Sequence, residues 1–159
     1  MIKRFAFCFF LAGALLSTAT AQSTIFVVRH AERADATKDP DLSEAGRARA
    51  EALAKALRDA NITAICATEF KRTQQTAAPL AKALGITVTV LQAQDSAALI
   101  AKLRALNGNA LVVGHGDTIP NLIKALGLSE PINIAENDYD NLFSVVLDGK
   151  PQLIRLRYR

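Results

Sequence analysis

The chain contains two histidines, His30 and His115, and each closes an apolar run. Thr24 to Val28 leads into Arg29-His30, and Ala110 to Gly114 leads into His115-Gly116-Asp117. Imidazole is a nucleophile and a proton carrier near neutral pH. An arginine stands before the first histidine. Glycines flank the second, where backbone without side chains can approach an anion closely. A third segment, Thr68-Glu69-Phe70-Lys71-Arg72-Thr73, follows another apolar run and brings a second arginine. Guanidinium matches phosphate oxygens in pairs and stays charged at any relevant pH. Two arginines and two imidazoles in one cleft would suit a tetrahedral oxyanion. A neutral His30 could attack phosphorus there while the arginines neutralise the equatorial oxygens.

The elements must bring these groups together. Short apolar, β-branched runs read as buried parallel strands, and open α/β sheets bind ligands at the carboxyl ends of such strands. Strands are expected over about 24–29, 63–67 and 86–90, with a fourth starting at Ala110. Helices are expected between them. One begins after Ser43, a good N-cap, and runs to about Ala60. Another covers about Phe70 to Leu84, with Pro79 inside and Gly85 as its stop. A third is capped by Asp95 or Ser96 and runs to about Leu106, and a fourth covers about Ile119 to Leu126. Leu142–Leu147 and Gln152–Arg157, joined by Asp148-Gly149, read as a hairpin. Strands separated by helices imply an α/β fold with a largely parallel sheet, and the hairpin makes one edge antiparallel.

The amino terminus reads differently. Lys3 and Arg4 precede an apolar stretch, Phe5 to Leu16, and Ala19-Thr20-Ala21 is a small-x-small cleavage site. That is the pattern of a signal peptide over residues 1–21, leaving a single domain over 22–159. The stretch is short for a membrane span, so no stable membrane anchor is expected after cleavage. The expected location is periplasmic or secreted. Loss of Lys3 and Arg4 lowers the formal charge of +4 to +2. The mature chain is therefore only mildly basic. Arg155, Arg157 and Arg159 alternate along the last strand and should share one solvated face. No aromatic interleaving accompanies them, so nucleic acid is not an expected partner. Cys66 is the one cysteine outside the amino-terminal segment and reads as a buried structural thiol. No Gly-x-Gly-x-x-Gly or Walker-type loop supports a nucleotide site.

Four motifs, taken in order, resemble the histidine phosphatase superfamily, the phosphoglycerate mutase-like proteins. Arg29-His30-Ala31-Glu32 is similar to its Arg-His-Gly-Glu signature, with Ala31 in place of glycine. Leu42 to Ala50 resembles its Leu-Thr-x-x-Gly-x-x-Gln-Ala helix start. Thr68 to Thr76 resembles Ser-x-x-x-Arg-Thr-x-x-Thr, and Val112 to Gly116 the second histidine motif. The resemblance implies a three-layer α/β/α sandwich and no metal or organic cofactor. It implies that His30 becomes phosphorylated, that Arg29, Arg72 and His115 line the phosphate pocket, and that His115 donates to a phosphoryl oxygen. Beside these roles, Arg72 could instead pair with Glu69. Glu32 either orients a pocket arginine or is solvated, and Lys71 and Arg33 either extend the positive field or are solvated.

Many members of that family carry a general acid in an insertion beyond the third strand. Here Leu91 to Asp95 passes almost directly into a helix. Asp117 is then the leading candidate acid and Asp95 the next, and a chain with no dedicated acid is the third possibility. An open cleft admits water, which favours hydrolysis over phosphoryl transfer within a mutase. The expected activity is a metal-independent phosphatase acting on phosphomonoesters, with a small phosphorylated molecule or a phosphorylated envelope component as its partner. The alternatives are a phosphohistidine phosphatase acting on a protein and a non-catalytic phosphate-binding module.

Overall fold

A computed structural model describes residues 23–159; the segment read as a signal peptide, residues 1–21, lies outside them. Six strands form one sheet in the order β3-β2-β4-β1-β5-β6. They are β1 (Ser23–Arg29), β2 (Ile62–Thr68), β3 (Val88–Leu91), β4 (Asn109–Gly114), β5 (Asn141–Leu147) and β6 (Gln152–Arg157). The first four run parallel, and β5 and β6 form an antiparallel hairpin beside β1. Four helices connect the elements: α1 (Glu44–Leu57), α2 (Lys71–Leu84), α3 (Ser96–Arg104) and α4 (Thr118–Ala125).

Both faces of the sheet are covered, because alternate strand residues serve opposite layers. Ile25, Val27, Ala110, Val112, Phe143 and Val145 pack with Leu103 of α3 and with Ile119, Leu122 and Ile123 of α4. Val28, Ile65, Leu111, Val113 and Leu142 pack with Leu53 and Leu57 of α1 and with Ala77 and Leu80 of α2. This is the three-layer sandwich, with a parallel core and an antiparallel edge. Each fully buried Leu or Ile contributes about 1.5–3 kcal/mol relative to an exposed one.

Helix ends follow local chemistry. The Ser43 hydroxyl accepts from the Gly46 amide, and the Asp95 carboxylate accepts from the Ala98 amide. Helix α2 runs through Pro79 and stops at Gly85, which takes the left-handed conformation. The Ile86 amide donates back to the Ala81 carbonyl at 3.0 Å. That bond keeps Ile86 with the helix end, so β3 begins at Val88 and not at Ile86. Among the described residues no helix is long and apolar enough to cross a membrane.

Candidate active site

Three adjacent strands end at one place. The β1–β4 register pairs Arg29 with Gly114, and the His30 amide donates to the Gly114 carbonyl at 2.9 Å. The next residue of each strand is a histidine, so the two rings meet with centroids 5.4 Å apart. On the other side of β4, β2 ends at Thr68 and passes Glu69-Phe70 into α2, whose second residue is Arg72. The resulting cleft is lined by Arg29, His30, Arg72 and His115 together with Arg33, Phe70, Gly116, Asp117 and Glu136. Its volume is about 520 Å³, enough for a phosphoryl group with a small leaving group.

His30 is 4% exposed. Its Nδ1 lies 2.8 Å from the Ala31 carbonyl oxygen. A carbonyl only accepts, so Nδ1 carries the proton and Nε2 keeps its lone pair. Burial, and then the charges of His115, Arg72 and Arg29, push its pKa from 6.5 down to about 4 against the Ala31 bond. The ring is therefore neutral at pH 7. Ala31 is fully buried with Leu42 and Ala50, so its methyl fills the space where the related signature has glycine. Its amide donates to Thr76 Oγ1 at 2.9 Å, and that hydroxyl donates to the Arg72 carbonyl at 2.7 Å. One threonine thus links the histidine loop to the arginine helix. Close by, α1 leans on the same loop. A Cβ on Gly46 would stand 2.3 Å from the Glu32 carbonyl oxygen, which no side chain could tolerate.

His115 is held by two partners. Nε2 lies 2.9 Å from Thr68 Oγ1, and Nδ1 lies 3.5 Å from Arg72 Nη2. Arginine only donates, so Nδ1 accepts and Nε2 carries the proton in the neutral ring. Burial lowers the His115 pKa, with Arg72 adding to the effect. The hydroxyls continue the chain: Thr68 Oγ1 lies 2.9 Å from Thr73 Oγ1, which donates to the Phe70 carbonyl at 2.8 Å. The Phe70 ring meets His115 edge-on and Arg72 face-on, 4.3 Å from its Cζ. Phe70 belongs to the site on these contacts, although its residue type and place gave no signal of it.

The arginines are incompletely partnered. The Nε atoms of both Arg29 and Arg72 are buried without a hydrogen-bond partner. Arg29 Nη1 donates to the carbonyls of Ala135 and Glu136 at 3.0 and 2.6 Å. Arg72 Nη1 donates to the Lys38 carbonyl at 3.2 Å, with the Asp39 carboxylate 3.9 Å away. Burial lowers the Arg72 pKa, with Arg33 adding to the effect. A buried guanidinium N–H facing no acceptor is expensive to maintain, and an oxyanion in the cleft would supply the acceptor.

Several neighbours differ from expectation. Arg72 does not pair with Glu69, whose carboxylate instead accepts from the Ala93 amide at 2.7 Å. Glu32 neither orients a pocket arginine nor stands solvated. It binds Arg49 of α1 at 2.6 Å, and although burial opposes it, the Arg49 hydrogen bonds bring its pKa below the usual carboxylate range. Asp95 caps α3 and lines a separate, largely apolar cavity between the sheet, α3 and α4. Asp117 occupies the N-cap position of α4 without making a capping bond, and it lines the cleft. Arg33 lines the cleft too, whereas Lys71 is exposed and does not line it. Glu136 is a second cleft carboxylate, and it lies in a stretch without periodicity. Cys66 is buried and free, and burial raises its pKa. Arg155, Arg157 and Arg159 do not share a merely solvated face. They pair with Asp138 and Asp140 from the segment before β5. Among the described residues no group of three His, Cys, Asp or Glu side chains could hold a metal ion.

Comparison with known proteins agrees with this fold. Residues 25–95 match the family model of the histidine phosphatase superfamily, branch 1. No curated protein matches the chain by sequence. Among solved structures, the protein histidine phosphatase SixA complexed with tungstate is 23% identical, with a TM-score of 0.70 over 84% of this chain and 96% of that one. The mycobacterial glucosyl-3-phosphoglycerate phosphatase, complexed with inorganic phosphate, is 18% identical, with a TM-score of 0.65 over 82% and 95%. A phosphoserine phosphatase from Entamoeba histolytica is 14% identical, with a TM-score of 0.64 over 86% and 96%. At these identities the likeness is one of fold.

Proposed function

We propose that this chain, a member of the histidine phosphatase superfamily, hydrolyses phosphomonoesters through a phosphohistidine formed on His30. The observation that carries this reading is the pairing of a neutral, buried His30, whose Nε2 is unprotonated, with two guanidiniums whose buried Nε–H groups face no acceptor. Nε2 attacks phosphorus in line, and an N–P bond forms as the P–O bond to the leaving group breaks. Arg29 and Arg72 neutralise the equatorial oxygens throughout, so charge stabilisation needs no metal ion. His115 holds one phosphoryl oxygen by turning a ring N–H toward it. The leaving alkoxide needs a proton, and Asp117 is the cleft carboxylate proposed to give it. Water then attacks the phosphohistidine, the N–P bond breaks, and phosphate leaves.

The open cleft also suits a second reading, hydrolysis of phosphohistidine on a protein. A nitrogen leaving group is readily protonated and makes little demand on an acid, which fits a cleft whose Asp117 has no fixed hydrogen bond. The amino-terminal pattern favours the ester reading, with the protein acting after export on small phosphorylated molecules or phosphorylated envelope components.

Hydrolysis of a phosphomonoester panel beside phosphoramidate, with EDTA present, separates these readings. His30→Ala is expected to abolish turnover while the far-ultraviolet circular dichroism stays unchanged. Turnover that persists in that variant would sink the mechanism. Phosphoramidate cleavage without ester cleavage selects the second reading. Phosphate binding without either reaction would make the chain a binding module.

A further inference from the structure

Arg29 is enclosed by a segment that has no helix or strand of its own. Its Nη1 donates to the carbonyls of Ala135 and Glu136, and its Cζ lies 4.5 Å from the centre of the Tyr139 ring. On another side lies Gly116, where a Cβ would sit 3.7 Å from Nε. The Tyr139 ring also stands 6.1 Å from that of His30. One aromatic side chain therefore touches the guanidinium and backs the imidazole.

An irregular segment keeps its shape only where something ties it down. The Asp138 amide closes a turn onto the Ala135 carbonyl at 3.0 Å, and the Tyr158 amide donates to the Asp140 carbonyl at 3.0 Å. The two carboxylates that bracket Tyr139 are bound to the chain end. Asp138 takes Arg155 at 3.4 Å and also Arg157, while Asp140 takes Arg157 and, at 3.6 Å, Arg159. Arg155 further donates through Nε to Asn141 Oδ1 at 2.8 Å. These arginines lie outside the phosphate pocket, and their contacts lead to it through Tyr139.

We propose that Tyr139 is a positioning residue for Arg29 and that the arginines of β6 hold Tyr139 in place. The proposal rests on the reading of Arg29 as a phosphate ligand. A free arginine must be ordered by the anion it binds, whereas one already stacked and hydrogen-bonded is ordered in advance.

The test follows arginine Nε–H signals by NMR during titration of the full chain with inorganic phosphate. In the wild type the Arg29 and Arg72 signals should both shift. In Tyr139→Ala the Arg29 signal should move to the position of a mobile arginine, the Arg72 signal should stay, and the phosphate Kd should rise about five- to tenfold. Tyr139→Phe keeps the ring and should restore both signal and affinity. The double variant Arg155→Gln/Arg157→Gln should weaken the Arg29 signal in the same sense, and it carries the test if Tyr139→Ala does not fold. An Arg29 signal unchanged in these variants would overturn the proposal, and so would a disturbance that reaches Arg72 equally. An Arg29 signal that depends on Tyr139 in a protein that binds no phosphate would sink the phosphatase reading and leave the positioning role standing.

Discussion

Two groups of arginines lie at opposite ends of the chain's chemistry. Arg29 and Arg72 are drawn into the cleft with buried Nε–H groups, and the one carboxylate within ion-pair distance of either is Asp39, 3.9 Å from Arg72. Arg155, Arg157 and Arg159 are exposed, from 41% at Arg155 to 87% at Arg159, and two carboxylates answer them. Burial without a partner costs stability that an incoming anion restores. Exposure with partners is close to neutral. Residue type therefore does not separate a binding site from a tether. The supply of carboxylate does.

The largest effect that can break this contrast is on Arg72. Arg72→Ala should lower kcat/KM for a phosphomonoester by about 10²–10³-fold, as loss of a fixed charge in a dry site does. A fall of less than tenfold would mean that the cleft arginines are no more engaged than those of β6. An intermediate effect lies in the field around them. Burial chiefly, helped by neighbouring positive charge, lowers the His30 pKa from 6.5 to about 4. The unfolded chain binds that proton more readily, so the contribution is fully present above pH 6.5 and is lost as pH falls toward 4. Urea unfolding of the wild type and of His30→Ala should therefore diverge by about 3 kcal/mol across that window. Parallel curves would show that the cleft does not desolvate the ring. The smallest effect sharpens the other half of the contrast. Arg157→Gln should lower the unfolding midpoint only slightly, and the difference should vanish in about 1 M salt. A loss that survives salt would mean that the tether is buried in function if not in area.

The cleft was legible because its residues follow strands buried on both faces. Such strands are continuous apolar runs, and β1, β2 and β4 have that form, so the pattern alone puts His30, Thr68 and His115 at their ends. Ser43 and Gly85 marked helix ends through side-chain and left-handed caps that depend on the residue itself. Strand β3 starts two residues later than its sequence pattern, because β-branched residues at 86 and 87 look like strand while a helix-end hydrogen bond that pattern does not reveal claims Ile86. Residues 129–140 were silent for a different reason. They hold Arg29 through carbonyl oxygens, which every residue has, and through Tyr139, which follows no period. Glu32 has no partner that pattern reveals, since Arg49 reaches it from 17 positions away on a helix whose rotation the sequence does not fix closely enough.

The position of β1 in the sheet also governs when the cleft can exist. That strand emerges first among the described elements, yet its neighbours are β4, which pairs Val28 with Val113, and β5, which pairs it with Leu142. Both pairings close very long loops, and such contacts form slowly and late. As the chain emerges, therefore, His30 waits beside an unpaired strand while more than eighty residues follow, until Val113 can reach Val28. Helices α1 and α2 can meet each other in that interval, but no phosphate pocket can form. The nucleophile is made early and is armed only when the hairpin closes on the far side of its strand.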